Sequence, residues 1–382
     1  MQSFSASATG RDHAWVEQLP QDFYRSATAV QSSFKPALKA AEWIDVALRT
    51  ALSSVITGVS IPAGYSGARL AGVLRNGSAL AAQDDAALFH RARPLPEFVV
   101  HRVRRPLGVR EGIFEQIQWH SVYQPEGKFS RTNNDWVVAW HWRHGDRPRP
   151  TIVLVHGFTA ARWEVNEFFL GLNYLYQLGC DVVLKTLPHH GPRRRSVASI
   201  SGLDYVSGGI ESLNHSVIQS TYDIRTLVDY LQQRCDVARV GLSGLSLGGY
   251  TSALMAGLEE RFEFVMPVVP IVSIPDAMME WKPLDGALKN IMRKYDVSMQ
   301  DLRNTMAFHS PLSRPALQAP GNLLVIAGVG DRMASPRHAE ALQRHWGNCA
   351  VHWFEGSHAL PLQRQQTNRA KADFLQGIGF VC

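Results

Sequence analysis

Short continuous apolar runs alternate with segments of helical periodicity along the chain after residue 150. The runs are Thr151 to Val155, Asp181 to Leu184, Ala238 to Leu242, Phe264 to Val272, Asn322 to Ala327 and Ala350 to Phe354. Strands that are apolar without alternation are buried on both faces, and this requires helices above and below a mostly parallel sheet. The pattern therefore predicts an α/β fold.

The segments between these runs have the apolar spacing of helices that pack one face on a sheet. They are Val165 to Leu178, His215 to Arg234, Leu247 to Leu258, Pro336 to Trp346 and Leu362 to Gln376. Three earlier runs have strand character, namely Phe98 to Val103, Ile113 to Tyr123 and Trp136 to Trp142. The turn residues Gln124 to Gly127 separate the last two, so we expect an antiparallel entry to the sheet.

Residues 1–95 differ from the rest and are predicted to form a helical extension of a main domain that spans 96–382. The clearest periodicity is an apolar stripe, with Glu42, Asp45 and Arg49 elsewhere around the turn. The stripe consists of Ile44, Leu48, Leu52, Val55, Ile56 and Val59. We expect it to pack on the main domain or to cover its cleft. Contact with a membrane surface or a partner is the alternative.

Residues 273–316 interrupt the alternation of strands and helices. The segment contains four prolines, together with Met278, Met279, Trp281 and Met292. An insertion at this position lies above the carboxyl ends of the strands, where ligands bind in open α/β sheets. We interpret it as a cap.

Composition limits the class of protein. With 382 residues, 45% of them hydrophobic, the chain can bury one large core and carry an extension. The polar start Met1 to Gly10 predicts no secretory signal, and no apolar run reaches membrane-spanning length. The four cysteines, Cys180, Cys235, Cys349 and Cys382, show no CxxC spacing, which favours reduced thiols and a cytoplasmic location.

The net charge of +6 comes with basic runs at His101 to Arg105 and Arg193 to Arg195. We interpret these runs as solvated surface, since charge runs usually are. No nucleic-acid-binding motif accompanies them.

Ser246 is the candidate nucleophile. It lies at the centre of Gly244-Leu245-Ser246-Leu247-Gly248, between the predicted strand that ends near Leu242 and a helix that begins with small residues. A serine on such a strand-to-helix turn projects its Oγ into a cleft, and the flanking glycines prevent clashes. Ser243, three residues earlier, lacks this spacing and is interpreted as structural.

A serine hydroxyl needs a general base and a carboxylate that orients the base. Asp331 and His358 each follow a later predicted strand, in the order expected for this kind of turn. Asp276, which follows the preceding strand, is the rival acid. For the oxyanion we propose the backbone N–H groups of Leu247 and Phe158. His156, beside Gly157, is interpreted as bracing the loop.

These residues resemble the α/β-hydrolase superfamily from about Ile113 to the carboxyl terminus. The His-Gly loop at 156–157, the turn at 244–248, Asp331 and His358 match its pattern one by one. The loop Leu187 to Arg193 is similar to one found in bacterial members of uncertain substrate. The resemblance implies a serine esterase, lipase, thioesterase, peptidase or related acyl-transfer enzyme without a cofactor, and it does not choose among them. We expect a small-molecule acyl substrate.

Two further residues are candidates for substrate binding, His190 and Trp163. His190 would lie at the mouth of the cleft, while Trp163, Phe158 and the cap would form an apolar acyl pocket. A metal site at His189 and His190 is not expected, because adjacent side chains point in different directions and no third ligand has suitable spacing.

The leading hypothesis is a carboxylic-ester hydrolase with Ser246, Asp331 and His358 as its triad. A peptidase or thioesterase of the same fold is the nearest alternative. A catalytically silent binding protein and a regulatory protein on a membrane or polyanion are the others. The sequence leaves the oligomeric state open.

Overall fold

The computed structural model describes residues 19–30, 35–60, 67–90, 93–106, 111–123 and 133–381. The opening Met1 to Gly10, the predicted turn Gln124 to Gly127, and Cys382 lie outside these ranges. In the part of the chain that is described, no helix is long and apolar enough to cross a membrane. Cys180, Cys235 and Cys349 are free thiols, as predicted.

The described residues form a nine-stranded sheet in the order β1-β2-β3-β5-β4-β6-β7-β8-β9. The first three strands pair antiparallel and β3 pairs antiparallel with β5, whereas β4 to β9 run parallel. The strands are β1 Phe98–Arg102, β2 Ile113–His120, β3 Trp136–Arg143, β4 Thr151–Val155, β5 Asp181–Lys185, β6 Val240–Leu245, β7 Phe262–Val268, β8 Leu324–Gly328 and β9 Ala350–Phe354. The predicted α/β fold and antiparallel entry are confirmed.

The central strands are buried on both faces, as their continuous apolar runs predicted. Alternate residues of β4 enter two different clusters: Val153 and Val155 lie in one, and Ile152 and Leu154 in the other. Because side chains alternate along a strand, the two clusters are the two faces of the sheet. Each face is covered by helices.

The α-helices are numbered in chain order, and short 3-10 turns also occur. They are α1 Pro36–Ser60, α2 Gly67–Ala82, α3 Asp85–Phe89, α4 Trp163–Leu170, α5 Leu172–Gln177, α6 Leu203–Val206, α7 Ile210–Arg234, α8 Leu247–Ala256, α9 Ile274–Glu280, α10 Leu284–Tyr295, α11 Met299–Met306, α12 Pro336–His345 and α13 Arg364–Gly377. The helix predicted over Val165 to Leu178 is two helices, since Gly171 between them has a φ of 69°. Such a left-handed residue ends a helix.

The cap, residues 273–316, consists of α9, α10 and α11 with two 3-10 turns. It packs closely on α2, where a Cβ at Gly77 would lie 2.4 Å from Cγ2 of Thr305. The glycine thus lets two helices approach where any side chain would separate them. A helix of the amino-terminal region therefore packs directly against the cap.

The apolar stripe of α1 does not face the main domain along its whole length, so that prediction is wrong for half of its members. Ile44, Leu48 and Val55 are 42%, 48% and 38% exposed, while Leu52 and Ile56 line a cavity described below. The side chain of Val59 lies outside the description.

The helix instead buries part of its polar face. Asp45 is fully buried and Glu42 is 7% exposed. The physical reason is that α1 lies over two loops whose backbone N–H groups need acceptors, and a carboxylate satisfies them where an apolar side chain could not. Hydrogen bonding, and not apolar burial alone, sets how this helix is rotated.

The basic run Arg193 to Arg195 is not uniformly solvated, which corrects the sequence interpretation. Arg193 is fully buried and donates from Nη1 to Asp223 at 2.8 Å, while its Nε and Nη2 donate to the carbonyl of Asn134. Arg195 is exposed. Burial of a guanidinium is tolerated when each of its donors is paired in this way.

Candidate active site

Ser246 lies on a strained turn between β6 and α8. Its φ of 54° and ψ of −108° are unusual for a residue with a side chain. Hydrogen bonds fix the backbone on both sides of Ser246. Its N–H donates to the carbonyl of Val268 at 2.9 Å, and the carbonyl of Ser246 accepts from the Tyr250 N–H at 2.8 Å. The predicted strand-to-helix turn is present.

The glycines that flank the turn have no room for a side chain. A Cβ at Gly244 would lie 2.1 Å from the carbonyl oxygen of Gly248, and one at Gly248 would lie 2.1 Å from that of Val155. Strand and helix therefore meet backbone to backbone at the nucleophile. Ser243 is buried and donates to the Met266 carbonyl at 2.6 Å, in agreement with a structural role.

Asp331 and His358 lie in the loops that follow β8 and β9, and they contact each other. His358 Nδ1 is 2.8 Å from Asp331 Oδ2. The other carboxylate oxygen accepts from the N–H groups of Met333 and Ala334 at 2.8 and 2.7 Å. With three donors, the carboxylate has a fixed orientation toward the imidazole.

The pKa of His358 is raised above its ordinary value. Burial alone would lower it, but the neighbouring carboxylates of Asp331 and then Asp45 outweigh burial. His358 also lines a small cavity together with Leu245, the residue directly before Ser246. The imidazole therefore lies beside the turn that carries the candidate nucleophile.

Asp276, the alternative triad acid, forms an ion pair with Arg303. Arg303 of α11 binds it through Nε at 3.0 Å and Nη2 at 2.6 Å, and both side chains are buried. The same arginine donates to the carbonyls of Leu19 and Pro20. This ion pair joins two cap helices to the amino-terminal region, so Asp331 and not Asp276 contacts the histidine.

The two proposed oxyanion donors follow adjacent parallel strands. Phe158 comes after β4 and Leu247 after β6, at the point where the strand order reverses. Within the described ranges, neither N–H has a hydrogen-bond acceptor. An amide at a helix start such as Leu247 favours negative charge.

His156 braces the loop between them, as predicted. Its Nδ1 donates to the Gly157 carbonyl at 2.7 Å, and its Nε2 accepts from the Leu187 N–H at 3.0 Å. Burial, followed by the cations Lys185 and Arg193, lowers the pKa of His156 to about 3. The imidazole is therefore neutral and has no free nitrogen for proton transfer.

Ser246, Phe158 and Leu247 lie on the wall of a cavity of about 180 Å³. Most of the remaining wall comes from the cap, including Met278, Trp281 and Met292, so Phe158 and the cap line one apolar cavity. The rest comes from helices of the amino-terminal region, from α6, α7 and Gly209 between them, and from Ile271 in the loop before the cap. Of the described residues that line the cavity, none is charged.

Neither His190 nor Trp163 lines this cavity, which corrects the prediction that they bind substrate. His190 is fully buried with its ring against those of His156, Phe158 and Tyr205. Trp163 packs edge-on against Phe114 and Trp142 in the core. Both side chains pack in the interior, and His190 Nδ1 also donates to the Pro188 carbonyl at 2.7 Å. Sequence spacing alone does not distinguish such positions from a cleft.

Among the described residues, no group of three or more His, Cys, Asp and Glu side chains is placed to hold a metal ion. The sequence reasoning missed two contributions of α1, the buried carboxylate of Asp45 and the cavity residues Leu52 and Ile56. The available signal for Asp45 was an acidic residue one position from the apolar stripe, and that signal is weak because most such residues are solvated.

Residues 217–375 match the prolyl oligopeptidase family, which is less than half of the chain. The acetyl xylan esterase from Paenibacillus sp. R4 has a similar structure, with a TM-score of 0.52 over 80% of this chain and 92% of that one at 18% identity. This similarity in structure identifies the fold of the chain.

This chain has the α/β-hydrolase fold.

Two curated relatives are similar in sequence. An uncharacterized protein of Mycobacterium tuberculosis is 28% identical over 306 residues, which cover 78% of this chain and 71% of the relative. The protein named "Putative esterase YitV" from Bacillus subtilis is 28% identical over 145 residues, or 37% of this chain and 50% of the relative. Together with the family match, these findings support a serine hydrolase of the α/β-hydrolase fold.

Proposed function

We propose that this protein hydrolyses carboxylic esters that carry an apolar group, with Ser246, His358 and Asp331 as its catalytic triad. The observation that carries the proposal is the position of Ser246, on a strained turn at the wall of an uncharged cavity. The pair formed by His358 and Asp331 supports it, because a hydroxyl nucleophile needs an oriented base.

The reaction follows from the roles of these groups. His358 Nε2 takes the proton of Ser246 as Oγ attacks the ester carbonyl, and Asp331 holds the Nδ1–H and stabilises the imidazolium. The N–H groups of Phe158 and Leu247 bind the oxyanion, a contribution of about 2.7 to 4 kcal/mol per donor in comparable enzymes. The alcohol leaves with the proton from His358, and water then releases the acid from the acyl-enzyme.

The cavity wall favours an uncharged substrate. A charged side chain or a free amino terminus that entered it would lose hydration and find no ionic partner on the wall. An apolar acyl chain has no ionic hydration to lose, and each methylene buried in the cavity contributes about 0.8 kcal/mol to binding. Binding is therefore expected to increase with chain length until the cavity is filled.

A peptidase is the second candidate, favoured by the match of residues 217–375 to the prolyl oligopeptidase family. Esters and amides of the same acyl group separate the two proposals. Comparison of p-nitrophenyl esters with the corresponding p-nitroanilides, at matched acyl groups, gives kcat/KM for both bonds. Faster hydrolysis of N-acylated peptide anilides than of any ester would favour the peptidase.

The nucleophile is tested with a fluorophosphonate probe on the full chain. We expect labelling of the wild type, none of Ser246→Ala, and retained labelling of the matched control Ser243→Ala. The control removes one buried hydrogen bond and is expected to cost about 1 kcal/mol of stability without touching the cavity. Folded wild-type protein that stays unlabelled would contradict the proposed function.

A further inference from the structure

One carboxylate of α1 is buried beneath the catalytic loops. Asp45 is fully buried and accepts four hydrogen bonds, two on each carboxylate oxygen. Oδ1 accepts from the Ser357 hydroxyl at 2.8 Å and the Ala359 N–H at 2.9 Å. Oδ2 accepts from the His358 N–H at 2.8 Å and the Arg332 N–H at 2.9 Å.

These four donors belong to the two loops that carry the triad acid and base. Arg332 follows Asp331 directly, and the other three donors are His358 itself and its two neighbours. A single carboxylate therefore joins the loop after β8 to the loop after β9. The relative position of Asp331 and His358 depends on a residue from the amino-terminal region.

Two other contacts hold α1 on the same loop. Glu42, one turn before Asp45, binds Arg332 Nη2 at 2.8 Å. Leu38 lies so close to Gly330 that a Cβ there would be 2.7 Å from its Cδ1. The helix thus contacts residues on both sides of Asp331, and its position is fixed by packing as well as by hydrogen bonds.

Several charged groups face His358. Asp331 approaches from the loop after β8, Asp45 from α1, and Arg364 of α13 lines the small cavity beside the imidazole. Burial lowers the pKa of His358, but Asp331 and then the negative charge of Asp45 raise it above its ordinary value. Removing the charge of Asp45 should lower that pKa.

We propose that Asp45 is a positioning residue of the active site, which fixes the backbone that carries His358 relative to Asp331. The inference rests on the proposed triad. It makes α1 a functional part of the enzyme, because the triad geometry is completed by a helix outside the sheet and its flanking layers.

The test is Asp45→Asn in the full chain, with the same substitution at the exposed Asp373 of α13 as the control. An asparagine keeps one acceptor oxygen and loses the other together with the charge. We expect kcat/KM for an ester to fall about 10- to 100-fold, mainly through kcat, because small misplacements of catalytic groups have effects of this size. The control should change kcat/KM less than threefold.

The pH profile separates positioning from stability alone. In Asp45→Asn the acidic limb of kcat/KM should move to lower pH, because an opposite charge near the imidazolium has been removed. Asp373→Asn should leave that limb in place. A folded Asp45→Asn with wild-type kcat and an unmoved limb would overturn the proposal.

Two further measurements test the proposal, one if Asp45→Asn does not fold and one without substrate. If Asp45→Asn does not fold, Ser357→Ala removes one of the four bonds, and it should reduce kcat about threefold without a comparable rise in KM. An NMR titration of the His358 imidazole measures its pKa without substrate. If wild-type protein is not labelled by fluorophosphonate, the proposed function has failed, whereas labelled wild-type protein together with a folded Asp45→Asn of wild-type kcat and unmoved acidic limb refutes the positioning role alone.

Discussion

Replacement of Asp331 and Asp276 by asparagine tests which of these two carboxylates is the acid of the proposed triad. Both residues are buried and both follow strands of the parallel sheet. Asp331 binds the imidazole of His358, whereas Asp276 binds the guanidinium of Arg303 through two hydrogen bonds. The two variants should therefore have opposite effects on activity and stability.

The magnitudes follow from these partners. Asp276→Asn leaves the buried Arg303 without its counter-charge, and a change of this kind costs about 3 to 5 kcal/mol. An unfolding entropy of about 2.1 cal/mol/K per residue gives about 0.8 kcal/mol/K for 382 residues, so the Tm should fall by about 4 to 6 °C. Asp331→Asn keeps most of its hydrogen bonds but loses the correct orientation of the imidazole, and kcat/KM should fall about 10⁴-fold.

The assay combines thermal unfolding with kcat/KM on a p-nitrophenyl ester, at a temperature where all variants are folded. Asp373→Asn, an exposed aspartate of α13, is the matched control and should change neither quantity. Asp276→Asn should retain kcat/KM within about threefold. An inactive but thermally normal Asp276→Asn, together with an active Asp331→Asn, would refute the assignment of the triad acid.

Three further predictions concern the turn, the base and the cavity. Gly248→Ala should abolish fluorophosphonate labelling or lower the Tm by more than 5 °C, because the new Cβ would lie 2.1 Å from a backbone oxygen. The control is Gly286→Ala in α10, whose Cβ would meet nothing within 4 Å and which should raise the Tm by about 1 °C. Because the pKa of His358 is raised and the neutral imidazole is the proposed base, kcat/KM should fall with decreasing pH around a midpoint above 6.5, and a midpoint at or below 6.5 would contradict this. Ile291→Trp should fill the cavity and lower kcat/KM for octanoyl relative to acetyl esters at least tenfold, while the exposed Asn290→Ala should leave that ratio unchanged.

The sequence predicted the sheet and the strand-to-helix turn at Ser246 well, since both depend on the pattern of neighbouring residues. The run Thr151 to Val155 coincides with a strand in which every residue is buried, and such a strand favours apolar residues at successive positions. The run Ala350 to Phe354 is also a strand, but it lies at the edge of the sheet and only Phe354 is buried. The strand-to-helix turn could be predicted because a side chain at Gly244 or Gly248 would clash with backbone close to Ser246. Asp331 and His358 were found from their order after later strands.

Contacts between distant segments could not be predicted in this way. Trp163 and His190 were expected at the cleft, yet which aromatic rings a buried side chain meets depends on how helices and loops pack. The rotation of α1 is the clearest case, because its periodicity indicated an apolar face turned inward.

The sequence by itself determined the α/β layers and the candidate triad, because strand burial, glycine spacing and residue order are written along the chain. Only the tertiary structure decided that Asp276 is an ion-pair partner of Arg303 and that Asp45 lies beneath His358. The reason is that a carboxylate has the same local pattern whether it meets water, a guanidinium or a backbone N–H. Its role depends on donors that folding brings together from nearly 300 residues away, as between Asp45 and Arg332.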